Sequence, residues 1–171
     1  MLIWNPSKLT TKGKALLAKA QAGRCTIKIT KAQTGSGQYS SGEATDTRTS
    51  LKTPVQTLPI HSKEIQNGST LVLKVAITNK TSDTDVLKSG YEIREFGIFA
   101  QDPDDGEILY SIATASTSDY MPAYNGVIPS VISMSYYLEV ANASSVTIVT
   151  AGGLALQSDL EAVSYTHLTL P

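Results

Sequence analysis

Carboxylates are the side chains in this sequence best placed to do chemistry. Glu92, Glu95 and Glu107 lie in or beside one stretch, Tyr91 to Tyr110. Two carboxylates flanking a glycosidic bond can serve as general acid and as base or nucleophile. That division of labour needs environments that push their pKa values apart, and spacing along a strand gives no sign of them. Asp102, Asp104 and Asp105 alternate as calcium ligands do, but the run lacks the sixth-position glycine and the twelfth-position glutamate of an EF-hand loop. A solvated turn is expected there. Gly35-Ser36-Gly37 opens no helix and so is not a phosphate loop. One cysteine, Cys25, and two histidines, His61 and His167, leave Ser/His/Asp, Cys/His and zinc arrangements short of parts. No catalytic residue, cofactor site or metal site is expected.

Arg94 and Glu95 stand out for a different reason. Adjacent strand residues point to opposite faces, so one of the two faces the interior or a subunit contact unless the strand is bent. A buried charge needs a partner, and Glu92 or Glu107 is the natural one for Arg94. Arg94 and Glu95 are therefore a candidate structural charge pair.

The 171 residues suffice for one ordinary domain plus appendages. With 41% hydrophobic and only 17% charged residues, and many Ser and Thr, a sheet-rich fold is favoured over a helical bundle. A net charge of -1 argues against nucleic acid as a partner. Cys25 has no disulfide partner and reads as a buried thiol. Met1 to Pro6 does not resemble a signal peptide, and no run approaches the roughly 20 apolar residues that span a membrane. Synthesis and folding in a cytoplasm are expected.

These residues must be positioned by a sheet. Asp102-Pro103-Asp104-Asp105-Gly106 collects turn formers between two segments rich in β-branched, aromatic and small residues, Tyr91 to Ala100 and Glu107 to Ala115. Pro103 presets φ, and Gly106 accepts the positive φ that lets the return strand pair, so this is a β-hairpin. Upstream, Leu9 to Ala22 reads as an amphipathic helix with Leu9, Gly13, Leu16, Leu17 and Ala20 at helical spacing. Thr10 or Thr11 caps it, Gly23 ends it, and Lys19 sits near its C-terminus. Its apolar stripe Leu9, Leu16, Leu17 and Ala20 packs on its own sheet or docks on a neighbouring subunit. Cys25 to Ala32 alternates as a half-buried strand, and Thr34 to Ser50 is a long, mobile loop. Val55 to Gln66 and Thr70 to Thr78 are extended around the hairpin signal Asn67-Gly68. Ser116 to Ser130 reads as a second long loop. Val131 to Val140 and Ser144 to Thr150 are further strands around a turn at Asn142. About seven strands in hairpin order imply a mainly β (α+β) fold: an antiparallel sheet or two-layer β-sandwich with the N-terminal helix against it. After Gly152-Gly153, Leu154, Leu156 and Leu160 open a second helix.

The last nine residues, 163–171, back-translate as GTC TCT TAT ACA CAT CTG ACG CTG CCG, which looks like read-through of a transposase-type sequencing adapter. They are set aside as a fusion scar. On this reading His61 is the natural chain's only histidine, and the native sequence continues past Ala162.

LTTKGKALLAKAQAG (Leu9 to Gly23), REFGIFAQDPDDGEILYS (Arg94 to Ser111), DYMPA (Asp119 to Ala123) and SVTIV (Ser145 to Val149) resemble the N-terminal region of phage tail-collar fibre proteins. The likeness runs in order over nearly all of Leu9 to Ala162, with departures mainly in Thr34 to Leu58. It implies a virion structural protein, not an enzyme, that anchors a tail fibre to the baseplate of a tailed phage or prophage. Residues 1–152 would be the attachment domain and 153–162 the start of a helix leading to the fibre shaft. It implies baseplate or tail proteins as partners, a homotrimeric full-length fibre, and contact with a host surface receptor only through the part beyond Ala162. Leu9, Leu16, Leu17, Ala20, Leu154, Leu156 and Leu160 are then candidate interface residues. The alternative is a receptor- or carbohydrate-binding module of a phage tail, using Tyr39, Tyr120 and Tyr124 as platforms.

Overall fold

The computed structural model describes residues 1–67, 70–140 and 146–149. Among the described residues, two sheets and one helix make up the fold. The central hairpin is its longest feature: β7 (Tyr91–Asp102) pairs antiparallel with β8 (Gly106–Met121). Gly106 has φ +79°, the left-handed value that starts the return strand.

The strand β8 runs six residues further than Ala115, so Ser116 to Met121 is not loop. Sequence pattern misses it because Ser116, Thr117, Ser118 and Asp119 carry no apolar alternation. Pairing with β1 (Ile3–Trp4) and with the start of β7 holds it extended. The larger sheet also contains β2 (Lys8–Leu9) against β8, β3 (Lys28–Gly35) against β7, and β4 (Pro54–Leu58) against β3. Its last member, β10 (Thr147–Ile148), pairs parallel with β3, an exception to the expected all-antiparallel order. The smaller sheet is β5 (Ser62–Gln66), β6 (Thr70–Thr78) and β9 (Val131–Glu139), in that order. Thus the single extended stretch Val55 to Gln66 is two strands in different sheets. Asn67 does take φ +54° at the turn. Ten strands, not seven, are present among the described residues: the division of Val55 to Gln66 adds one, and the two-residue β1 and β2 add two more.

The two sheets form layers around one core. Leu71, Leu73, Val75 and Ile77 of β6 bury their shared face against Phe96 and Ile98 of β7, with Tyr136 and Leu138 of β9 alongside. Each such side chain contributes about 1.5–3 kcal/mol by leaving water. Phe96 is the junction, with Trp4 edge-on at 5.9 Å and Tyr136 at 5.2 Å between ring centroids. Cys25 is half-buried at the margin of this core rather than sealed within it.

Helix α1 (Thr11–Gln21) lies on β8. Thr10 is its N-cap, accepting from the Gly13 N–H at 2.9 Å, and its own N–H donates to the Tyr110 carbonyl at 3.0 Å. Tyr110 is the extra residue at a bulge between Ile98 and Phe99, which turns its carbonyl toward the helix. Gly13 permits the approach, since a Cβ there would sit 2.0 Å from the Tyr110 oxygen. At the other end Gly23 adopts φ +76° and the Arg24 N–H closes on the Lys19 carbonyl at 3.0 Å. Leu16 is completely buried, and Leu9, Leu17 and Ala20 pack partly buried on the same core. Leu16 therefore offers no surface to another chain, whereas Leu17, Ala20 and Leu9, which lies in β2 rather than in the helix, keep part of theirs. Leu154, Leu156 and Leu160, the helix opening at 153–162, the turn at Asn142 and residues 163–171 lie outside the described residues.

Candidate functional site

The charges singled out in the sequence sit on and around the central hairpin. A second bulge, between Ile93 and Glu95, breaks the strand period so that Ile93 and Phe96 both enter the core. Arg94 and Glu95 are both diverted from it, toward the loop of residues 36–53. Glu95 is 0% exposed. Its carboxylate accepts four hydrogen bonds, from the N–H groups of Gly37 (3.1 Å), Lys52 (2.8 Å) and Thr53 (2.7 Å) and from the Tyr39 hydroxyl (2.6 Å). Arg94 is half-buried and makes no ion pair among the described residues. The expected charge pairing is therefore corrected: the buried member is Glu95, and main-chain N–H groups, not a cation, satisfy it.

This arrangement explains Gly35-Ser36-Gly37. A Cβ at Gly35 would lie 2.4 Å, and at Gly37 2.6 Å, from Glu95 Oε1. The glycines cradle an anion after all, one belonging to the chain itself. The loop is not free to move as expected: Glu95 ties both its ends. Leu51 also packs with Phe99, Leu109 and Ile112 into a small core on this face. Tyr39 closes the cradle. Burial first, and then its hydrogen bond to Glu95, push its hydroxyl pKa well above the ordinary value, so it remains a donor. Arg48 and Lys52 stand over its ring at 5.7 and 5.0 Å, and Lys52 also pairs with Glu43 at 2.8 Å.

At the opposite end of the hairpin, Asp102 is 1% exposed and accepts from the N–H groups of Asp104 (2.8 Å) and Asp105 (3.2 Å). It also receives Lys19 Nζ of α1 at 2.8 and 3.0 Å. Lys19 reaches Asp104 as well, and Lys12 reaches Asp105, each at 2.8 Å. The acidic tip is thus a latch onto the helix rather than a simple solvated turn. Sequence reading missed it because the lysines lie more than 80 residues away. The signal present was two lysines spaced seven apart on α1 and three aspartates in one turn.

Glu92 and Glu107 are too far apart to act as a catalytic pair. Glu92 and Glu107 lie near opposite ends of the hairpin, with Glu107 opposite Gln101, nine residues along β7 from Glu92. At about 3.3 Å per residue that is roughly 30 Å, against the ~5–10 Å such mechanisms need. Glu107 is held instead by Lys31 at 2.8 Å. The hairpin binds the rest of the domain together through its carboxylates, which is an architectural use of charge.

The profile of the family described as phage tail-collar fibre protein, N-terminal, matches residues 6–167. The chain belongs to that family. It is a structural component of a phage tail fibre, and hence of a virion, a family that associates with other tail components. The matched span covers the hairpin, the glycine cradle and the lysine-bearing helix together. Among curated proteins and among solved structures, none matches the chain.

Proposed function

We propose that this domain is the proximal mount of a tail fibre, anchoring it to the baseplate of a tailed phage or a prophage-encoded particle. The observation supporting a mount over a site of chemistry is the use of Glu95, Asp102 and Glu107 in internal contacts. A mount must transmit force without deforming. Tying a long loop and a helix to one hairpin with hydrogen-bonded carboxylates produces that stiffness. The full-length fibre is a homotrimer made in the host cytoplasm, its distal part carrying the receptor-binding surface. The carbohydrate-binding alternative has less support, since cations cover two of its tyrosine platforms: Arg48 and Lys52 over Tyr39, and Lys80 over Tyr124 at 5.2 Å.

Immobilised full-length chain should capture a baseplate protein from gently dissociated particles of the parent phage. Capture of baseplate protein supports the mount. Retention on a glycan array with no baseplate protein captured overturns it.

A further inference from the structure

Beside the Glu95 cradle lies an open cleft of about 850 Å³ that the internal contacts do not fill. Its walls are the β1–β2 connection, the loop through residues 37–45 and the bulged part of β8, with Arg94 among them. The size is at the upper end for ligand clefts, roughly 300–1,000 Å³, and suits several residues of peptide.

The lining charges that lack an ion-pair partner among the described residues are cationic. Lys8 and Arg94 both line it, and neither makes an ion pair among the described residues. The one acidic residue of the lining, Glu43, is already engaged, accepting from Lys52 Nζ and from the Ser40 N–H, and neighbouring Glu95 is sealed in its cradle. A half-buried guanidinium with its donors unmatched is a fork for a carboxylate. Sugar recognition is disfavoured because Tyr39, the one aromatic residue among those lining the cleft, has Arg48 and Lys52 over its ring. A polyanion is disfavoured because two cations cannot neutralise a run of phosphates.

We infer that the cleft binds an acidic peptide segment of a partner protein, with a partner carboxylate on Arg94 and a second acidic group near Lys8. This rests on the cleft alone and holds whichever tail component supplies the segment.

The test uses the full chain and a fluorescein-labelled peptide of alternating Ser and Glu, followed by fluorescence anisotropy. The expected result is binding that weakens with salt and disappears when Gln replaces Glu in the peptide. Arg94→Met should weaken it about tenfold or more, the worth of a charge-assisted hydrogen-bonded pair, and Lys8→Met less. Lys14→Met, on the exposed side of α1, should leave it unchanged. Circular dichroism establishes that Arg94→Met folds. Should it not, Arg94→Lys keeps the charge without the fork and should give an intermediate loss. No binding by the unmodified chain, equal binding of the Gln peptide, or unchanged affinity in Arg94→Met or in a folded Arg94→Lys would overturn the inference. So would Arg94-dependent binding of a sialylated trisaccharide in place of the peptide.

Discussion

Glu95 and Arg94 are adjacent in the chain, yet one is sealed by the loop that folds over it and the other faces an open cleft. The difference follows from the bulge at Ile93 to Glu95, which cancels the alternation that would have sent one of them to the core. A buried carboxylate meeting four donors stabilises only while it can accept from all of them. Glutamine offers one acceptor oxygen and an amide that only donates, so Glu95→Gln would set donor against donor. It should destabilise the domain by about 2–4 kcal/mol. Arg94→Met should stay within about 0.5 kcal/mol, as for a side chain with no internal partner. Urea denaturation midpoints distinguish the two, and a larger loss for Arg94→Met would reverse the assignment of roles.

At the level of elements, the latch between α1 and the hairpin tip has a defined pH range. Burial of Asp102 works to raise its pKa, but hydrogen bonds from Lys19 and from the Asp104 and Asp105 N–H groups outweigh it and hold the carboxyl below its ordinary value of about 3.9. Its contribution is complete above that value and is lost as pH falls through the depressed one. Lys19 is shifted upward by its hydrogen bonds to Asp102 and then Asp104. Its contribution is complete below about pH 10.4 and is lost as pH rises through the elevated value. The stability difference between the parent chain and Asp102→Asn should therefore be about 1–3 kcal/mol at neutral pH and shrink as pH falls below the ordinary carboxylate range. A difference independent of pH would mean the latch does not depend on this ionisation. The elements themselves were largely legible. The hairpin follows from its Pro and Gly, the Thr10 cap and Gly23 stop from helix-end chemistry, and the buried face of β6 from strict alternation. What sequence could not give was long-range. Ser116 to Met121 is a strand because β1 and β7 pair with it, and Asp102 is gripped because Lys19 of α1, far away in sequence, reaches it.

For the whole molecule, the hairpin integrates the domain: one face is core for both sheets, one end grips the helix, and one flank fixes the long loop. The family assignment was readable from short motifs because those motifs are the contact points of this integration. Gly13 is where α1 touches β8, and the segment from Arg94 to Ser111 contains both the cradled carboxylate and the latch. The glycine cradle was not readable, since a G-x-G run shows its purpose only when the carboxylate it surrounds is in view. The central claim is that this domain is the fixed end of a fibre, and the position of the chain on the particle tests it most directly. Gold-labelled antibody against the exposed loop at residues 122–130, imaged by electron microscopy on particles dissociated enough to reveal fibre ends, should mark the end at the baseplate. Label confined to the free distal tips would contradict the account.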